Sequence, residues 1–133
     1  MLKKISLLGL LAVLVGGLSG VAALVYQKVY IETIGEGFVN VASIANMFKY
    51  TLAGAFVAAI GYFLLSLVLK GKTDMVFNLL FVILTFASIL YPIGHQLPLD
   101  QESPELFPGL AVPMHFFPAL GWFALKPLFG KSI

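Results

Sequence analysis

Four runs along the chain carry no Asp, Glu, Lys or Arg: Ile5–Tyr26, Tyr50–Leu69, Met75–Gly94 and Phe107–Leu125, of 22, 20, 20 and 19 residues. Each is close to the ~20 residues that an α-helix, rising ~1.5 Å per residue, needs to cross ~30 Å of hydrocarbon. The pattern predicts an all-α membrane protein, an antiparallel four-transmembrane-helix bundle forming a single transmembrane domain over residues 1–133. Between the second and third runs lie only the five residues Lys70–Asp74, so those two spans are expected to form a tight hairpin. The stretch "IETIGEGFVNVASIANMF" sets Ile31, Ile34, Phe38, Val41 and Phe48 near one helical face, with Glu32, Glu36 and Asn40 elsewhere. This reads as a short amphipathic outer segment packed over the bundle or extending the second span. Gly35 and Gly37 weaken its start and put a boundary near Phe38.

Orientation follows from the lysines. Lys3, Lys4, Lys70, Lys72, Lys126 and Lys131 fall on one side of such a bundle and only Lys28 and Lys49 on the other. Cytoplasmic loops carry the excess of basic residues, so both termini are expected in the cytoplasm. The acidic residues agree: Glu32, Glu36, Asp100, Glu102 and Glu105 lie opposite, and Asp74 alone lies with the lysine-rich ends. The first run also fits a secretory signal peptide, with Lys3–Lys4 before an apolar stretch and small residues at Val21–Ala22–Ala23. Its uncharged length exceeds an ordinary signal core, and it is read as a retained helix.

Composition narrows the function classes. The chain is 60% hydrophobic and 11% charged, far from the ~25% charged residues of a soluble domain, and four spans leave no room for a soluble catalytic domain. It has no cysteine, which removes disulfides, thiolate metal sites and Cys nucleophiles. A net charge of +2 gives no reason to expect nucleic acid. Neither a glycine-rich phosphate loop nor a local Ser–His–Asp grouping is present. Asp100, Glu102 and Glu105 around Pro104 read as a solvated loop rather than a Ca²⁺ site. No cofactor and no enzyme activity are expected.

Small residues recur at helical spacing. Gly9, Ala12, Gly16, Gly20 and Ala23 mark one stripe in the first span, and Gly54, Ala58 and Gly61 another in the second. With little hydrophobic drive inside lipid, helices associate through close packing along such stripes. Gly9, Gly16, Gly20, Gly54, Ala58 and Gly61 are therefore expected helix-packing positions, either inside one chain or between chains.

The candidate chemistry centres on "PMHFFPALGW", residues 113–122. His115 stands eight residues into the last run, ~12 Å along a helix axis and so near mid-bilayer. An ionisable residue at that depth is a functional-site candidate, and its imidazole is expected to stay neutral because charging it there is costly. Pro113 and Pro118 remove the hydrogen bonds to the carbonyls of Gly109 and Met114, and His115 is a candidate donor to one of them. Asn78, Thr85, Ser88 and Pro92 share one face of the third run, which is expected to point into the bundle. His115, Trp122, Thr85 and Ser88 are accordingly the candidate ligand-binding residues. His95 lies about two turns shallower than His115, too far for both imidazoles to hold one metal or haem.

The stretch "FVNVASIANMFKYTLAG" leading into the second span and the Met114–His115 pair at the last helix give the chain a resemblance to small bacterial membrane proteins with four helices, a domain of unknown function. The resemblance implies the fold and a multi-pass location in the bacterial inner membrane, and no activity. Two functions remain open. One is a non-enzymatic protein acting by helix association in the bilayer, as a self-oligomer or an accessory subunit of a membrane complex. The other is a binder or transporter of a small apolar or weakly polar molecule in a pocket around His115. A cavity open to the surroundings favours the second.

Overall fold

The computed structural model describes residues 1–34, 43–94 and 106–133, apart from the side chain of Lys131. Among these residues every regular element is helical. Helix α1 spans Leu2–Ile34, α2 Ile44–Leu69, α3 Thr73–Ser88, α4 Leu90–Gly94 and α5 Phe107–Leu125. A 3-10 turn, Lys70–Lys72, joins α2 to α3, and a 3-10 segment, Lys126–Ser132, follows α5. Three helical stretches are long and apolar enough to cross a membrane: Leu2–Ile34, Ile44–Gly94 and Phe107–Gly130.

The middle stretch holds 51 residues, which as one straight helix would reach ~76 Å, well over twice a hydrocarbon core. It is folded back at Lys70, the one non-glycine residue with positive φ among those described (φ 46°, ψ −115°). The Tyr62 hydroxyl, before the turn, donates to Asp74 Oδ1, after it, at 2.7 Å. The α2 and α3 arms of the expected hairpin thus face each other across this turn.

Helices run further than the uncharged runs, because isolated charges do not interrupt a helix. Helix α1 continues past Lys28 and Glu32, and α2 starts before Lys49, where the Ser43 hydroxyl accepts the Asn46 N–H and caps the first turn. Ile31 and Ile34 therefore belong to α1 and Phe48 to α2, so the ends of the expected amphipathic segment are parts of the long helices. Its middle, with the boundary at Phe38, lies outside the described residues, as do His95, Asp100, Glu102 and Glu105.

Helix α1 is the centre of the packing. Its buried residues Leu8, Leu11, Ala12, Val15, Gly16, Ser19, Gly20, Ala23 and Gln27 advance by alternating steps of 3 and 1, then 4, and form one stripe. Helix α2 sits on that stripe where it is bare. A Cβ built on Gly16 would lie 2.8 Å from Leu52 Cα, and one on Gly20 would lie 2.5 Å from the Phe48 ring. Helix α5 sits beside it, with Gly121 so placed that a Cβ would meet Ser19 Oγ at 3.1 Å. The Gly16/Gly20 stripe is thus a seam within one chain. Gly9 and Gly54 have no described atom within 4 Å of a Cβ position, and Gly61 has only Phe77, at 3.9 Å, so these three do not mark close helix approaches in this chain.

Candidate functional site

The helices are tied firmly at the Lys70 end. Tyr62, Phe77, Phe81 and Trp122 form an aromatic cluster with ring centroids 5.0 Å apart for Phe77–Trp122, 5.2 Å for Tyr62–Phe77 and 5.3 Å for Phe77–Phe81. Such offset and edge-on pairs bury large areas at favourable quadrupole geometry. Over this cluster lies a polar knot. Lys126 Nζ is 2.6 Å from Asp74 Oδ1 and 5.2 Å from the Tyr62 ring centre, and Lys4 Nζ approaches the same ring at 5.9 Å. Burial works to raise the Asp74 pKa, but hydrogen bonds from Lys126 and Tyr62 and the charges of Lys126 and Lys4 outweigh it and hold the carboxyl below its usual range.

Away from that end the arms separate. Helix α3 leans on α5, with the Phe86 and Phe116 rings 5.5 Å apart edge to face, and leaves α2 standing off. The result is a cleft of about 1170 Å³ between α2 on one side, α3 and α4 on the other, and α5 behind. It is open at the side, where the lining residues Val57, Leu64, Leu80 and Leu84 are exposed, and its volume lies somewhat above the ~300–1,000 Å³ usual for small-molecule sites. The Gly54–Ala58–Gly61 stripe lines it, so those small residues widen a cleft instead of seating a helix.

Three of the four residues singled out from the sequence meet there. His115, Thr85 and Ser88 line the cleft from α5 and α3. Trp122 does not: it is 1% exposed and lies behind Phe77 and Phe81, whose rings form the closed end. Its Nε1 has no hydrogen-bond partner among the described residues. The polar face expected on α3 is also shifted. Phe77, Thr85 and Pro92 are buried while Asn78 is exposed, because the contacting stripe advances in steps of four and slants round the helix.

His115 Nδ1 lies 2.7 Å from the Ala111 carbonyl oxygen. A carbonyl only accepts, so Nδ1 carries the hydrogen and, in the neutral ring, Nε2 is left as an acceptor. His115 thus serves neither Gly109 nor Met114, the two carbonyls released by proline; the Tyr26 hydroxyl of α1 donates to Gly109 O at 2.8 Å, and the Tyr30 hydroxyl donates to Leu106 O. The two tyrosines are one helical turn apart, and a sequence 83 positions away from Gly109 gave no cue to the pairing. The Asp74–Lys126–Tyr62 knot also escaped the sequence reading, although the lysine count already put Asp74 and Lys126 on one side.

Among the described residues the chain is thus apolar and all-helical, with a tied end and a side-open cleft. Among the described residues no group of three His, Cys, Asp or Glu could hold a metal. No protein family, curated protein or solved structure matches the chain.

Proposed function

We propose that this is a multi-pass protein of the bacterial inner membrane that binds a small apolar or weakly polar molecule in the cleft beside His115. In this reading α1, α2, α3 with α4, and α5 are four spans of an antiparallel bundle, and both termini and the Lys70 turn are cytoplasmic. The observation that carries it is the cleft of about 1170 Å³, open at the side where a molecule dissolved in lipid would enter. Its wall is mostly apolar with a few convergent polar groups, the usual make-up of a ligand site. The role is binding or passage, with no catalytic step.

The alternative, a protein acting by helix association as a self-oligomer or accessory subunit, loses one support, since Gly16 and Gly20 are spent on α2. It keeps another, because the Gly54–Ala58–Gly61 stripe leaves room for a helix from a second chain. Purification from native membrane with mass spectrometry of co-purifying molecules separates the two. A stoichiometric small molecule, lost in His115→Phe and kept in Phe116→Leu, is the expected result. A stoichiometric protein with no small molecule would refute the binding reading, and a reporter after Ile133 found outside the cell would refute the orientation.

A further inference from the structure

Four of the polar side chains that line the cleft share one property. The Thr85 hydroxyl donates to Phe81 O at 2.7 Å, the Ser88 hydroxyl to Thr85 O at 2.7 Å, and the Thr51 hydroxyl to Phe48 O at 3.2 Å. His115 spends its Nδ1–H on Ala111 O in the same way. Each of these four side chains lines the cleft, and each has given its hydrogen to the carbonyl of its own helix, three or four residues back. What remains for an occupant is lone pairs: three hydroxyl oxygens and one imidazole nitrogen. Asn46 and Tyr91 line the cleft further from the Lys70 turn, and Tyr50 stands beside Thr51 at the edge of this group.

These acceptors are also confined to part of the cleft. Towards the Lys70 turn the wall is Gly61, Leu64, Leu65, Phe77, Leu80 and Phe81, without a polar side chain. The cleft therefore has an apolar end against the aromatic cluster and, next to it, a group of side chains around His115, Thr85 and Ser88 that offers an occupant lone pairs.

We infer that the cleft takes a neutral amphiphile with a hydroxyl headgroup, an alcohol or phenol on an apolar chain, whose O–H donates to His115 Nε2 or to the Thr85 and Ser88 oxygens while its chain lies against Phe77 and Phe81. The inference rests on the reading that the cleft binds a ligand, and adds which ligands it admits. Carboxylates, phosphates, ketones and ethers bring only acceptors, so they would face lone pair against lone pair in a place with little water to intervene.

Trp122, the only tryptophan, supplies the readout, since Phe77 and Phe81 lie between it and the apolar end of the cleft. The full chain in phosphatidylcholine nanodiscs is titrated with 12-bromododecan-1-ol, with its methyl ether and with 12-bromododecanoate, each expressed as mole fraction in the lipid, and quenching of Trp122 is followed. The alcohol should quench at a mole fraction about tenfold lower than the ether, the effect of one hydrogen bond to an otherwise unpaired acceptor. A bromophenol with a matched chain should behave like the alcohol if any O–H suffices; a phenol that binds only as the ether does would restrict the class to alcohols. The alcohol-to-ether ratio should fall to about two in whichever of His115→Phe and Thr85→Val removes the acceptor used, and in the double variant; a ratio unchanged in all three would overturn the assignment of the acceptors. Equal quenching by alcohol, ether and carboxylate in the unmodified chain would overturn the donor requirement while leaving the cleft a chain-binding site. Quenching no greater than in Gly54→Phe, which fills the cleft, would overturn the binding reading itself. The ratio is measured first on the unmodified chain, so a variant that fails to fold does not leave the question open.

Discussion

Replacing Gly16 by alanine tests the packing at its tightest point. A Cβ there would lie 2.6 Å from Leu52 Cδ2 and 2.8 Å from Leu52 Cα, against the ~3.5–4.0 Å at which two carbons attract. The Leu52 tip can rotate away, but its Cα cannot move without shifting α2. Overpacking of this kind costs about 1–3 kcal/mol, and the higher helix propensity of alanine returns up to about 1 kcal/mol. The net expectation for Gly16→Ala is a loss of up to about 3 kcal/mol, centred on about 1.5 kcal/mol. Gly20→Ala meets only the Phe48 ring, the mobile end of a side chain, and should lose less. Gly9→Ala has no described atom within 4 Å and should be neutral or slightly stabilising. Unfolding by dodecyl sulfate in mixed micelles, with oligomeric state recorded by light scattering, measures all three. The order Gly16, Gly20, Gly9 from most to least destabilised is expected in a monomer. If Gly16→Ala unfolds where Gly9→Ala does, the α1–α2 seam is not as described. If it dissociates a dimer and leaves the monomer intact, the seam lies between chains.

Periodicity made much of this fold legible and left a definite remainder hidden. The uncharged runs marked the helices, and the five residues from Lys70 to Asp74 marked the reversal, because hydropathy and chain length constrain both directly. Stripes of small residues are different: they say that a close approach is permitted, not that it occurs. Gly16 and Gly20 face Leu52 and Phe48, whereas Gly54, on an equally regular stripe, faces the cleft. Spacing along one helix cannot separate these cases, since the neighbour is what differs. The same holds at the candidate site. His115, Thr85 and Ser88 were found as polar residues in apolar runs, but Trp122, two turns along the same face of α5 from His115, is sealed behind Phe77 and Phe81. Gly121 and Tyr26, which place α5 on α1, carried no signal within their own helices beyond being small and being amphipathic.

Two further outcomes are expected. Asp74 has a lowered pKa in the folded chain, so it binds fewer protons there than when unfolded; its contribution is full above about pH 4 and fades as pH falls through the folded value. The carboxylate side chain is 60% exposed, which keeps the effect below about 1 kcal/mol, and acid melts of Asp74→Asn should lack that part of the low-pH loss. An acid limb unchanged in Asp74→Asn would assign it to other groups. The last expectation concerns Tyr26 and Pro113. Pro113 has no N–H for Gly109 O, and the Tyr26 hydroxyl donates to that oxygen in its place at 2.8 Å. Gly109 is exposed at the surface of the chain, so the surroundings decide what the bond contributes. In water a lost tyrosine hydroxyl would be replaced by solvent at almost no cost; in hydrocarbon nothing replaces it. Tyr26→Phe in a bilayer should therefore cost about 0.6–1.7 kcal/mol, between the average and the maximum for hydrogen bonds between membrane helices. Pro113→Ala restores an N–H four residues beyond Gly109, which makes the tyrosine redundant, so Tyr26→Phe should cost much less in that background. The double-mutant cycle should then give a coupling of about 1 kcal/mol, well above the ~0.3–0.5 kcal/mol scatter of independent sites. Additive losses would mean either that water reaches Gly109 or that the tyrosine does not serve the carbonyl that the proline frees.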